Sequence, residues 1–442
     1  MIDFINNNPR IKEFKKQAKI LLRHLKESKA DITLRACHDL VAQQHGYKHW
    51  YEFHKEIKNL YEQKEKEVKQ YFFKTSPLGY FNYGYSGEIG LHYCLDRANT
   101  VNHTLITGEK RDKVNLHLLK QAIYANDHVV YMDGDGKDID DIIKIAISAG
   151  RQKDLRVISF MGNLKDVKSD KMPNKLPGSS EALTEMFASL MDDYGETIED
   201  IYVWRGRAIS LLSCVMRALV YMRDNEAFVL SFESIGKYLI LDNIINLYQR
   251  EFPAHIHNAL RDYLLSLPDF QESSSKQNDT VLEQHGHLQM QFIKLLGSLS
   301  DSYGYLFSNN ANLNYSEFTG QEQNLIILFK YPSLDKSIYE IGHLARFVMS
   351  MIKLQLQFDV KPKRHMTWLI NNCPIHRGFA VVPAQARFNN ISMICSYSDT
   401  GFLNSNKDEA ASVIANCNIK IEMKNDSEYS LKYKTVLYTL KV

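Results

Sequence analysis

Short apolar runs of β type, each followed by a helical pattern, stop at residue 160 and do not resume until residue 324. The first set is HTLIT (103–107), HVVYM (128–132) and LRVISF (155–160). The second is NLIILFK (324–330), MTWLI (366–370), ISMIC (391–395), NIKIEM (418–423) and TVLYTL (435–440). Runs this short and apolar, spaced for crossover helices, predict an α/β domain with a largely parallel sheet. The stretch 181–310 reads differently. Ser180 opens a helical pattern through Leu183, Met186, Phe187, Leu190 and Met191, a long helix follows around 203–223, and the polar run QESSSKQNDT (271–280) breaks the remainder. The simplest organisation is one α/β domain in two halves, 75–180 and 311–442, split by an all-α insertion at 181–310.

Residues 1–65 form a separate expectation, a small helical domain preceding the rest. Ile11, Phe14, Ala18, Leu21 and Leu25 recur every three to four positions, and helices follow from about Thr33 to Gly46 and around Trp50, Phe53 and Ile57. Charge is concentrated here. Residues 1–74 hold 16 Lys and Arg against 10 Asp and Glu, net +6, which leaves 38 against 42, net −4, for the rest of a chain whose overall charge is +2. The polar face of the first helix carries Lys12, Lys15, Lys16, Lys19 and Arg23, a set able to meet nucleic-acid phosphates or a protein partner. DITLRACHDLVAQQHGYKHWYEF has the helix, glycine turn, helix layout of a DNA-binding unit and resembles a short helical module at the ends of plasmid-encoded proteins. Trp50 and Phe53 at helical spacing also fit an ordinary core.

At 44% apolar and 24% charged residues the chain falls outside the disordered and fibrous classes. Six scattered cysteines without a C-x-x-C pair indicate neither a disulfide framework nor a zinc site, and no metal is expected. The pieces EQHGHLQ and HIH lack a third ligand and read as helix surface. The N-terminus lacks the apolar core of a signal peptide, and no run approaches the roughly 20 apolar residues that span a bilayer. A cytoplasmic protein is expected.

Chemistry is best placed where HTLIT meets Gly108 and then a helix, because strand, glycine and helix N-terminus together build a phosphate-binding loop. The pattern G-x-x-x-x-G-K-[ST] needs a second glycine for close backbone approach, a lysine for the outer phosphates and a hydroxyl for magnesium. Counted from Gly108, those positions hold Lys113, Val114 and Asn115. All three departures damage the chemistry. Lys110, Arg111 and Lys113 still place positive charge at the helix start, which leaves weak nucleotide or anion binding open beside a plain solvated loop. No cofactor is expected.

Several stretches carry a resemblance to the type IV coupling proteins, RecA-like motors of conjugation and type IV secretion, especially the Dot/Icm and IncI-plasmid branch. They are NHTLITGE, VVYMDGDGKD, SSEALTEMFASLMDD, LFKYPSLDKSIYEIGHLARFVMSMIKLQL, GFAVVPAQARFNNISMICSYSD and EAASVIANCNIKIEMK, in that order between about residues 75 and 425. The resemblance implies a RecA-like P-loop α/β domain with an all-α insertion domain over it. It also implies a Walker B strand ending in Asp-Glu, which here is MTWLI followed by Asn371 and Asn372, and a sensor glutamine, which falls on Ser398. Arg387 in PAQAR stands where a family arginine would reach a neighbouring subunit's phosphate, although a surface or ion-pair role fits as well. Asp133 and Asp399 are alternative carboxylates for magnesium, with turn roles the simpler reading.

Three catalytic positions vacated on a retained scaffold imply a pseudo-ATPase, a degenerate family copy that is not an enzyme and acts as a structural or regulatory component of type IV secretion or conjugation. The alternatives are an unconventional ATPase that translocates DNA and a nucleic-acid-binding protein led by its basic first helix. The expected partners are secretion or conjugation proteins, an intact coupling ATPase among them, with an oligomer in view. The membrane helices that the family implies ahead of the motor do not occur in this sequence, so attachment to the bacterial inner membrane would run through a partner.

Overall fold

The computed structural model describes residues 9–27, 33–56, 59, 80–86, 91–96, 101–162, 167–191, 199–274, 276–332, 338–356, 365–375, 378–399, 407–424, 428–433 and 436–441. The chain divides into two units, Met1–Gly79 and Tyr80–Val442. In the first, helices Pro9–Glu27 and Leu34–Gln44 are followed by a helical stretch at 50–56. Thr33 caps the second helix by accepting the Ala36 N–H at 3.3 Å. Phe14, Ala18, Cys37, Val41, Ala42 and Phe53 form its core, with Tyr47 and Trp50 packed at the edge. The charged run near 62–69 lies outside the described residues.

Among the described residues, the second unit is built on an eleven-stranded sheet. Its strands are β1 (Tyr80–Ser86), β2 (Leu91–Asp96), β3 (Thr104–Thr107), β4 (His128–Asp133) and β5 (Leu155–Ser159), then β8 (Ile326–Lys330), β9 (Met366–Asn371), β10 (Ile391–Tyr397), β11 (Ile419–Met423), β12 (Glu428–Tyr433) and β13 (Val436–Lys441). The two-residue strands β6 (Met172–Pro173) and β7 (Phe307–Ser308) pair separately. The order across the large sheet is β2-β1-β13-β12-β11-β3-β10-β9-β4-β8-β5. From β11 to β5 every pairing is parallel, and β12, β13, β1 and β2 extend it antiparallel. The parallel strands are those legible as apolar runs. Of the antiparallel strands only β13 was legible, as TVLYTL; β1, β2 and β12 were not, β1 because its Tyr-Gly-rich run shows no period and its partner strand lies far along the chain (Tyr85 with Lys441).

Both faces of the central parallel strands β4, β8, β9 and β10 are buried, which is why they read as continuous apolar runs, whereas β11, beside the antiparallel strands, alternates and leaves Lys420 and Glu422 exposed. On β4, Val129 and Tyr131 pack with helices Asp112–Tyr124 and Ile139–Ser148, while Val130 and Met132 face the other way. On that second face Met132, Phe329, Trp368 and Cys395 share one core with Leu183, Phe187, Leu212, Leu219 and Phe292 of the helices between β6 and β7. Those helices include Ser180–Leu190, Glu199–Asn225, Phe232–Tyr238, Leu241–Tyr248, Ala254–Leu265 and Asp279–Gly297. Pairing of Met172 with Phe307 brings the entry and exit of this helical segment together, so its length adds little closure entropy to the sheet.

One expectation is corrected within the segment. His285, in EQHGHLQ, is not on a helix surface: it is buried, its Nδ1 2.6 Å from the Tyr263 hydroxyl and its Nε2 donating to the Leu239 carbonyl at 2.9 Å. Burial lowers its pKa, so the neutral ring serves as a packing hydrogen-bond link. Among the described residues no group of His, Cys, Asp and Glu could hold a metal ion, and no helix is long and apolar enough to cross a membrane.

Candidate nucleotide-loop site

The crossover leaving β3 runs past β10 and β9 to reach β4, whereas the one leaving β10 returns past β3 to β11. Connections diverging in this way open a crevice at the carboxyl ends of the strands, where α/β sheets bind ligands. Gly108 and the following turn, Asp133 to Asp138, Asn371 and Asn372, and Ser398 all lie at those ends.

At Gly108, the first residue of the loop after β3, both backbone groups are paired within the protein. An anion-binding loop turns backbone N–H groups toward its ligand. Here the Gly108 N–H is bound to the Tyr397 carbonyl at 3.0 Å, and the Gly108 carbonyl accepts from Arg111 Nη1 at 3.3 Å. Gly108 sits at φ +120°, and a Cβ there would lie 2.8 Å from Met423 Cβ, so the position needs glycine on two counts.

The three loop cations are not equivalent. Lys110 and Lys113 are exposed, but Arg111 is 2% exposed. Its guanidinium bridges the loop to the ends of β4 and β9: Nε and Nη2 donate to Asn371 Oδ1 at 3.2 and 3.1 Å, and Nη2 meets Asp135 Oδ2 at 2.5 Å. A solvated loop is therefore incorrect for Arg111, because the amide and carboxylate oxygens replace its water. Val114, which the sequence count put at the lysine position of the pattern, is buried beneath the sheet with Leu118 and Ile142. Asn115 is fully buried and its Nδ2 lies 3.5 Å from Asn371 Oδ1.

The two asparagines after β9 serve as donors to an acid. Asn371 Nδ2 reaches the Tyr131 hydroxyl at 3.2 Å and Asp135 Oδ2 at 3.3 Å, while Asn372 Nδ2 donates to Asp135 Oδ1 at 2.5 Å. Asn372 Oδ1 in turn accepts the Ser398 N–H at 2.9 Å. Asn372 adopts φ +47°, a conformation that asparagine tolerates better than most residues. The close approach of β4 to β9 requires Gly134, since a Cβ there would stand 2.5 Å from the Asn371 carbonyl oxygen.

Behind this cluster lies a pair of buried acids. Asp133 accepts the N–H groups of Gly136 (3.0 Å) and Asp138 (3.3 Å), as a turn residue does. The Tyr131 hydroxyl bridges Asp133 and Asp138 at 3.3 and 3.0 Å. Burial, opposed by the backbone N–H of Gly136, pushes the Asp133 carboxyl up to about 6. Burial and then the charge of Asp133 push Asp138 to about 7. With Asp135 in place, Arg111 is already neutralised and faces Asp133 and Asp138 as well, an unfavourable setting for an added polyphosphate.

Other expected residues fall elsewhere. Arg387 is exposed on helix Val382–Phe388 and donates to the Asn416 carbonyl at 3.0 Å, a surface role. Asp399 is exposed. On the first helix Lys16, Lys19 and Arg23 are exposed and Lys15 half-buried, while the Lys12 side chain lies outside the described residues. Sequence reasoning missed Asp135, Tyr131 and Asp138. The signal for the two acids was present in DGDGKD, three carboxylates in six residues at a strand end.

Comparison with known proteins places this geometry. Over 370 residues the chain is 31% identical to the type 4 coupling protein DotL of Legionella pneumophila, a match covering 73% of this chain. The chain spans about half of that relative's length, 47%. Among solved structures, the bacterial conjugative coupling protein TrwBdeltaN70 in its unbound form aligns with TM-score 0.54 at 9% identity, covering 85% of this chain and 91% of that one. VirB4 of Thermoanaerobacter pseudethanolicus aligns with TM-score 0.51 at 11% identity, covering 82% and 96%. Both establish the RecA-like fold. Residues 5–74 match the family model described as glyoxalase superfamily protein.

Proposed function

The chain belongs to the type IV coupling protein family, and on that premise we propose that it serves as a non-hydrolysing, coupling-protein-like component of a type IV secretion or conjugation machine, structural or regulatory in role. The observation that carries this reading is that the crevice groups are paired with one another. Gly108 presents a carbonyl to Arg111, and the positions of the Walker B acids hold amides that donate to Asp135. Neither Asn371 nor Asn372 can act as a base or hold magnesium as a carboxylate would. Losing one transition-state contact costs about 3–4 kcal/mol, so loss of two slows turnover by roughly 10⁴-fold or more.

Retention of the scaffold supports a role in assembly. In helix Ile338–Leu356, Leu344, Phe347, Val348, Met351 and Ile352 are all buried in the core shared with the helical segment. On this reading the partners are other secretion or conjugation proteins, an intact coupling ATPase among them, and the N-terminal unit with its exposed Lys16, Lys19 and Arg23 is a docking element.

The purified chain, given ATP and Mg²⁺, is expected to release no phosphate above background. Turnover on the order of 1 per second, lost on Gly108→Val, would overturn the proposal in favour of an unconventional motor.

A further inference from the structure

Three N–H donors from two separate segments converge on one carboxylate. Arg111 Nη2, Asn371 Nδ2 and Asn372 Nδ2 reach the Asp135 oxygens at 2.5, 3.3 and 2.5 Å. The donors are buried, at 2%, 0% and 8% exposure, whereas the Asp135 side chain is 22% exposed and enters from the rim. A guanidinium and two amides fixed in a desolvated crevice form the donor set that binds oxyanions. We infer that Asp135 is an intramolecular occupant of an oxyanion site, its carboxylate standing in for a phosphate-class anion that the same donors would hold if it withdrew.

Two features support an occupant over a plain structural ion pair. Asp135 lies between Gly134 and Gly136, and Gly136 has φ +70°. The rest of the turn is anchored independently by Asp133, which holds the Gly136 and Asp138 N–H groups, so Asp135 can leave without dismantling β4. Beside the donors, the fully buried Ser396 hydroxyl has no hydrogen-bond partner. Ser396 pairs with Asn371 in the parallel register of β9 and β10, and the alternation of both strands puts the two side chains on one sheet face. An unsatisfied buried hydroxyl is costly, and an oxyanion with more oxygens than a carboxylate would accept from it. The amides also explain each other: carboxylates at 371 and 372 would repel Asp135, so the amide pair and the internal acid form one arrangement.

The inference rests on the non-hydrolytic reading of the pocket, and the two fail separately because hydrolysis and anion binding are read by different assays. The test compares thermal unfolding of the full chain in chloride, inorganic phosphate, pyrophosphate and ADP at equal ionic strength. The unsubstituted chain is expected to respond to none. Asp135→Asn removes the carboxylate charge while Asn371 and the Gly108 carbonyl still position Arg111, and it is expected to gain about 2 °C or more in pyrophosphate, a gain abolished by adding Arg111→Met. Should Asp135→Asn fail to fold in chloride, its recovery in phosphate but not in chloride is the same readout. ADP acting at lower concentration than pyrophosphate assigns the anion to a nucleotide, and equal action assigns it to free phosphate; both support the site. An Asp135→Asn chain whose stability or folding is the same in all four anions overturns it, as does an equal pyrophosphate response of the unsubstituted chain.

Discussion

At the residue scale the crevice is decided by which partner each charge finds. Arg111 could not be distinguished in sequence from Lys110 and Lys113, yet it alone of the three is buried, because its planar fork reaches the Gly108 carbonyl, Asn371 and Asp135 together. The amides at 371 and 372 fit the same geometry, so acids placed there would meet an unfavourable partner in Asp135. Asn371→Asp with Asn372→Glu would surround one guanidinium with three carboxylates and discard two donors to Asp135. Each such buried mismatch costs about 1–3 kcal/mol, so the double variant is expected to be destabilised. Adding Asp135→Asn is expected to recover part of the loss. Denaturant unfolding of the three chains checks this, and a double variant as stable as the parent would show that the amides are not complementary to Asp135.

At the scale of elements, the turn from β4 into helix Ile139–Ser148 stores unfavourable charge. Asp138 sits near pH 7 in the folded chain through burial and the neighbouring Asp133, above its ordinary value. The folded form therefore holds a proton that the unfolded chain releases at lower pH, and stability contributed by this group falls as pH rises from about 4 to about 7. Asn at 138 keeps an acceptor for the Tyr131 hydroxyl and removes the titration. Relative to the parent, Asp138→Asn is expected to gain about 1–2 kcal/mol between pH 5 and pH 8, and a difference constant with pH would contradict the assignment. His103 and His128, both lowered to about 4 by burial first of all, have the opposite sign. Each accepts a backbone N–H at Nδ1, from Met393 and Leu325, and pairs Nε2 with a carbonyl, of Pro383 and Phe318. Their stabilisation is present above about pH 6.5 and lost as pH falls toward 4, so the Asp138→Asn comparison must be read as a difference.

At the scale of the whole second unit, the sheet is an interleaving of sequence-distant halves. β4 lies between β9 and β8, and β3 between β11 and β10, so neither half contributes a contiguous block of strands. Cleavage within the largely exposed run 271–280, between helices Ala254–Leu265 and Asp279–Gly297, is expected to leave both fragments associated. Their backbone ladders alternate, and the core beneath them is common to both. Limited proteolysis followed by size exclusion reads this directly. Two fragments eluting apart and each still folded would mean that the halves are separate domains.

How much was legible follows from the range over which each signal acts. Strand runs such as HVVYM and MTWLI and the helical segment opened by Ser180 are local patterns, as is the strand-to-glycine-to-helix step at Gly108, and periodicity and residue chemistry suffice to read them. The sequence by itself therefore determined the α/β class, its interruption and the place of the crevice. Tertiary structure alone decided what fills that crevice. Arg111 and Asp135 are 24 residues apart and Arg111 and Asn371 are 260 apart, and only the order β3-β10-β9-β4 brings them within hydrogen-bond reach. The same holds for β1 and β13, paired across the chain's length, and for His285, whose burial depends on a tyrosine 22 residues away. Burial of a charge depends on whether a distant partner can replace its water, and no local pattern carries that information.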